Sequence, residues 1–146
     1  LTVGVHAHAA GFMDFEPELE RLLDEVDESI LKICFDTGHH SYAGFDPVAF
    51  MDRYIKRISY MHFKDIDPVV KADVVANRTN FYEACGQGIF CNLGKGDVDF
   101  PAVRKRLLDA GFSGWCTVEQ DCDPSMPGTP LEDARANREY LQSIGF

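Results

Sequence analysis

The chain has 146 residues, 45% of them hydrophobic and 26% charged, a balance that suits one globular unit with a buried core. A formal net charge of −10 opposes association with a nucleic-acid backbone, and no apolar run approaches the roughly 20 residues of a membrane-spanning helix. Five cysteines without any C-x-x-C spacing exclude a zinc knuckle and argue against a disulfide framework.

The first element is "LTVGVHA" over 1–7, a short β-branched run with the character of a buried strand. It opens without a cap, a loop or an initiator Met, so the sequence reads as a fragment. Next, "EPELERLLDEV" over 16–26 repeats Leu19, Leu22, Leu23 and Val26 on one helical face. A second strand, "ILKICFD" (30–36), precedes a helix in "DPVAFMDRY", with Asp46 as cap and Pro47 in the first turn. A third strand, "RISYMHF" (57–63), leads to an insert from about 65 to 98. That insert holds one short helical stretch around "RTNFYEAC" and a Gly-rich loop, "NLGKGD". A helix capped by Asp99 and stopped at Gly111 precedes the fourth strand, "GWCTVEQ" (114–120). The last helix opens at Thr129 with a T-x-x-E capping box to Glu132.

Strands alternating with helices predict an α/β protein with a parallel sheet, its strands covered on both faces. Cys34 and Cys116, inside strand-like runs, are expected as reduced core residues, which points to the cytoplasm. An open doubly wound sheet fits, and so does part of a (β/α)8 barrel. A complete barrel takes about 250 residues, so four βα units make half of one. Residues 1–146 read as a single domain.

All five histidines fall at or just beyond strand ends: His6 and His8, His39 and His40, and His62. Asp36 tips the second strand, and Glu119, Gln120 and Asp121 close the fourth. In both architectures the C-terminal strand ends form the active-site rim. A shell of His, Asp and Glu suits Mn²⁺, Co²⁺, Zn²⁺ or Mg²⁺. Such an ion, bound to a ketone or neighbouring hydroxyl, stabilises the enediolate formed when the α-proton leaves, and a nearby carboxylate or imidazole is the general base. Each residue has a plainer alternative: Asp36 as a cap, His62 as a core histidine, Glu119 as an ion-pair partner. "LGKGD" reads as a tight loop on the rim or, with less of the motif present, as a phosphate cradle.

"CFDTGHHSYAGFDP", "RISYMHFKD", "LGKGDVDFPAV" and "GWCTVEQD" together resemble the second half of the xylose-isomerase-like TIM barrels. Within that superfamily the chain is similar to the myo-inosose (2-keto-myo-inositol) dehydratases, which share D-T-G-H, H-x-K-D and V-E-Q-D in this order. The resemblance implies strands five to eight of a TIM barrel and a divalent-metal cofactor. Asp36, His62 and Glu119 would be metal ligands. His6 stands where the superfamily usually supplies a Glu, so an imidazole would replace that ligand or the metal would keep an extra water. Glu119, His39 and Lys64 would be catalytic, and His39, His8, Lys64 and Asp65 would meet the substrate. The implied activity is a metal-dependent lyase, dehydrating 2-keto-myo-inositol. The alternatives are a ketose isomerase or epimerase of the hydroxypyruvate isomerase or tagatose epimerase type, and a sugar-binding module without catalysis. The expected partner is a small polyol or keto-sugar, with no nucleic acid and no membrane. A half barrel has two open sheet edges, so a second copy or an absent N-terminal half is expected to cover them.

Overall fold

A computed structural model describes residues 2–125 and 128–146; Leu1, the first residue of the expected first strand, lies outside them. Four strands form one parallel sheet in the order β1 (Gly4–His6), β2 (Lys32–Asp36), β3 (Ile58–Phe63) and β6 (Trp115–Val118). Helices α1 (Glu16–Glu25), α3 (Pro47–Tyr54), α6 (Phe100–Asp109) and α7 (Pro130–Ser143) occupy the segments read as helical. Their starts follow the expected chemistry. Asp46 and Asp99 accept hydrogen bonds from Val48 N and Ala102 N, and Thr129 Oγ1 accepts from Glu132 N. Gly111, just past α6, has φ +62°, the left-handed conformation that a helix stop requires.

The period-2 pleat divides the sheet into two faces. Ile33, Phe35, Met61 and Phe63 point at the helices and build the core with Leu19 and Leu23 of α1, Phe50 and Met51 of α3, and Phe100, Val103 and Leu107 of α6. The intervening residues His6, Asp36, Tyr60 and His62 therefore face away from the helices.

Three expectations need correction. The strands are covered by helices on one face only: Trp115 is 80% exposed, and every residue of β6 is exposed. The reason is architectural, because barrel crossovers lie outside the sheet and the inner face is covered by strands from across the barrel. Cys34, beside His6 and Tyr60 on that inner face, is half-buried for the same reason, whereas Cys116, beside Met61 on the helix face of the edge strand β6, is exposed instead of a core residue.

The insert is also more structured than its sequence suggests. It contains α4 (Pro68–Asn77), α5 (Phe81–Gly86) and an antiparallel pair, β4 (Asp65–Ile66) with β5 (Phe90–Cys91). Only Val74 of α4 is buried, so that helix has no apolar stripe to reveal it. Its start nonetheless repeats the Asp-Pro signature of α3, with Asp67 accepting from Val69 N and Val70 N. A further short helix, α2 (Thr37–Tyr42), begins directly at the end of β2. No helix of the described residues is long and apolar enough to cross a membrane.

Candidate active site

Parallel register places the tips of β1, β2 and β3 side by side, with His6 beside Cys34 and Asp36 beside His62. Asp36 caps α2 with one carboxylate oxygen, Oδ1, which accepts from His39 N at 2.8 Å, and leaves the other, Oδ2, at the open face. There Oδ2 lies 3.6 Å from His6 Nε2, 3.4 Å from His62 Nδ1 and 3.6 Å from Lys64 Nζ. His62 Nδ1 is also 2.7 Å from Glu119 Oε2.

Asp36 Oδ2, His6 Nε2 and His62 Nδ1 are buried, yet none makes an aligned hydrogen bond. Three convergent ligand atoms without an aligned hydrogen bond are unusual in a folded protein and call for an explanation. Ligands about 2.0–2.2 Å from an ion stand roughly 3–3.5 Å apart, close to the separations here. The residues present therefore fit a divalent metal of the mixed N/O type. One ligand atom from each of His6, Asp36 and His62 lies within 4.8 Å of the others, and the same holds for Asp36, His39 and Glu119.

Lys64 lies beneath this cluster. Its side chain is fully buried, and Nζ donates to Glu119 Oε1 (2.7 Å) and Asp121 Oδ2 (3.0 Å) while lying 2.9 Å from His39 Nε2. Burial disfavours the ammonium, but Asp36, Glu119 and Asp121 outweigh it and hold the amine charged. Burial likewise disfavours an ionised Asp36, yet His6, His62, His39 and Lys64 prevail and hold its carboxyl well below the usual range. His62 is raised, chiefly by Asp36 and against burial. His39 is pushed down to about 3, first by burial and then by Lys64 and the neighbouring histidines, so it is a neutral imidazole. Two features hold the lysine in place. Thr37 Oγ1 accepts from Lys64 N and donates to Lys64 O, and at Gly38 a Cβ would stand 2.4 Å from Lys64 Cγ.

The other predicted residues divide. His8 joins the site, its ring 3.8 Å from that of His39 between centroids, and one ligand atom from each of His8, His39 and Asp121 also comes within 4.8 Å of the others. There the Lys64 ammonium already sits between His39 and Asp121. His40 points away, into a pocket of Phe35, Phe45 and Phe50, where Nε2 meets Glu16 Oε2 at 2.8 Å.

Asp65, expected to contact substrate, is instead fully buried. It accepts from the amides of Gly94, Gly96, Val98 and Ile66. Successive residues in a strand face opposite ways, which turns Asp65 from the side of Lys64. The Gly-rich loop is thus a cradle, but its amides hold a carboxylate of this chain and not a phosphate.

A sheet of parallel strands with helices on its outer face and His, Asp and Glu gathered at its C-terminal rim defines a class: partial barrels of the TIM type. The chain belongs to the xylose isomerase-like TIM barrel family, whose model matches residues 1–144. It is 33% identical over 137 residues to an inosose dehydratase of Clostridium botulinum (strain Eklund 17B / Type B), covering 94% of this chain and 46% of that protein. The chain thus spans about half the length of the curated relatives it matches. Among solved structures it resembles the probable 3-DHS dehydratase of Bacillus anthracis (TM-score 0.70, 22% identity, 98% of this chain and 49% of that one). It also resembles the IolI protein with a bound zinc atom (TM-score 0.69, 15% identity, 99% and 49%). At these identities the structures speak for the fold alone.

Sequence reasoning assigned no role to two residues here. Asp121, the last residue of "VEQD", gains one only through its 3.0 Å distance to Lys64 Nζ. Asn137, buried on α7, carries a weak signal: it shares the face of Tyr140, Leu141 and Ile144, where an apolar residue is the norm.

Proposed function

We propose that this chain carries the metal-holding rim of a divalent-metal-dependent carbon–oxygen lyase that dehydrates 2-keto-myo-inositol, acting in the cytoplasm. The observation that carries this is the convergence of three buried ligand atoms without an aligned hydrogen bond, Asp36 Oδ2, His6 Nε2 and His62 Nδ1, beside Glu119. The inosose dehydratase relatives support it. Asp36, His62, Glu119 and His6 would hold the ion, here Mn²⁺, Co²⁺, Zn²⁺ or Mg²⁺. When bound, it would polarise the ketone of a chelated substrate and acidify the adjacent C–H bond.

The chain's own groups supply the proton transfers. Glu119 receives the α-proton, and the electron pair of the broken C–H bond becomes the new C=C bond. The C–O bond to the β-hydroxyl breaks as that oxygen takes a proton from the Lys64–His39 pair and leaves as water. His39 is suited to this step because it is neutral at Nε2 and 2.9 Å from a charged ammonium. Isomerisation or epimerisation would use the same residues and differ only in where the proton returns. His6, in place of a carboxylate, favours a second reading, a sugar-binding module without turnover.

Metal content by mass spectrometry and turnover of keto-inositols test the proposal in the parent chain and Asp36→Ala. The expected result is about one ion per chain and product formation, both lost in the variant. Metal and turnover surviving in Asp36→Ala would overturn it. Saturable, metal-dependent sugar binding without product would establish the binding module instead.

A further inference from the structure

A line of side-chain amides runs from α7 to the site. Asn137 is 2% exposed, and its Oδ1 accepts from Leu93 N at 2.7 Å. Its Nδ2 donates to Gln120 Oε1 at 3.1 Å, and Gln120 Nε2 donates in turn to Asn92 Oδ1 at 3.1 Å. Gln120 stands between Glu119 and Asp121, the two carboxylates gripped by Lys64. Asn92 and Leu93 open the loop whose later amides wrap Asp65, the residue after Lys64. One buried asparagine therefore joins two rim segments, one carrying Glu119 and Asp121 and the other reaching Lys64 through Asp65.

Apart from Lys64 and His62 at the carboxylates themselves, local constraints on the loop after β6 are few. Its strand is exposed throughout, and an open groove of about 560 Å³, lined by Val118, Gln120, Cys122, Asn137 and Leu141 among others, separates it from α7. Glu119 N donates to Phe63 O, which fixes the start of the turn but not the direction of the side chains beyond it. The amide line crosses this loosely packed region where apolar contact does not. A polar bridge is also more directional than packing, since each amide has defined donor and acceptor sites.

The geometry points to Asn137, acting through Gln120, as a positioning residue that sets Glu119 and Asp121 for the metal and for Lys64. This rests on the metal-centre reading above. Asn137 touches neither ion nor substrate, so its role is that of the outer partners that orient metal ligands, whose loss typically weakens metal binding about 10–100-fold.

The test uses Co²⁺ alone as probe, reading stoichiometry, dissociation constant and visible spectrum. Asn137→Leu removes the line at its buried end, Gln120→Met breaks it from the partly exposed end, and Leu141→Ala loosens α7 without touching it. The expected result is one Co²⁺ per chain throughout. Binding should weaken about 10–100-fold with an altered ligand-field band in Asn137→Leu and Gln120→Met, and by no more than about threefold in Leu141→Ala. Should Asn137→Leu fail to fold, Gln120→Met carries the comparison. Parent-like affinity and spectrum in the two amide variants overturn the inference, as does an equal loss in Leu141→Ala. A parent chain that binds no Co²⁺ overturns the metal reading itself.

Discussion

At the residue scale, several polar side chains hold positions that a count of residue types would not separate. His39 and His40 are sequence neighbours, yet one faces the site and the other fills a cavity among three phenylalanines. His40 is 7% exposed, and burial lowers its pKa despite the attraction of Glu16. A histidine whose folded value lies below its unfolded value of about 6.5 binds protons more readily when unfolded. Its contribution is therefore present above about pH 6.5 and is lost as the pH falls. In chelator-treated protein the unfolding free energy read from urea titrations should drop between about pH 7 and 5, by up to about 1.4 kcal/mol per pH unit for this one group. His40→Gln should show a shallower slope. An unchanged slope would remove His40 from the account.

At the element scale, the site depends on how α2 meets the end of β3. The glycine of "DTGH" is required because the Lys64 stem passes where a Cβ would be, with Lys64 Cγ, Cβ and Cδ all under 3 Å from that point. Gly38→Ala forces either the short helix or the lysine to move. Overpacking of this kind costs about 1–3 kcal/mol. The expected outcome is a lowered thermal midpoint together with weaker metal binding, because Asp36 and Lys64 shift together. A variant as stable as the parent and with parent metal affinity would show that the contact relaxes harmlessly. Element starts were legible where capping residues and apolar stripes coincide, as in α3, α6 and α7, and α1 was legible from its stripe alone. Helix α4 escaped because its single buried residue leaves no periodic trace, and α2 because "TGHHSY" reads as strand-end chemistry before it reads as a helix.

At the scale of the whole molecule, four parallel strands leave the β1 and β6 edges of the sheet and much of its inner face open among the described residues. Trp115, the single tryptophan of the chain, lies on that inner face and is 80% exposed. Its fluorescence should be red-shifted and readily quenched by acrylamide in dilute solution. Exposed strand edges invite pairing with another chain. Quenching should therefore fall as concentration rises if copies associate through this sheet, with light scattering reporting the size. A tryptophan shielded at the lowest concentrations would mean that the face is already covered.

The sequence alone determined the order of the four parallel strands and of α1, α3, α6 and α7, the parallel sheet, the family, and the gathering of His, Asp and Glu at strand ends. Those features are local or periodic, since caps, alternation and short motifs act over a few residues. Only the tertiary structure decided which of those groups meet. Asp36 divides its two oxygens between a helix cap and the open rim, and His40 turns into the core. Asp65 turns from substrate to bind four backbone amides, and Asn137 reaches across from α7 to Gln120. Which face a side chain takes, and what stands opposite it, depends on strand register and on segments distant in sequence, and no window of neighbouring residues contains that information.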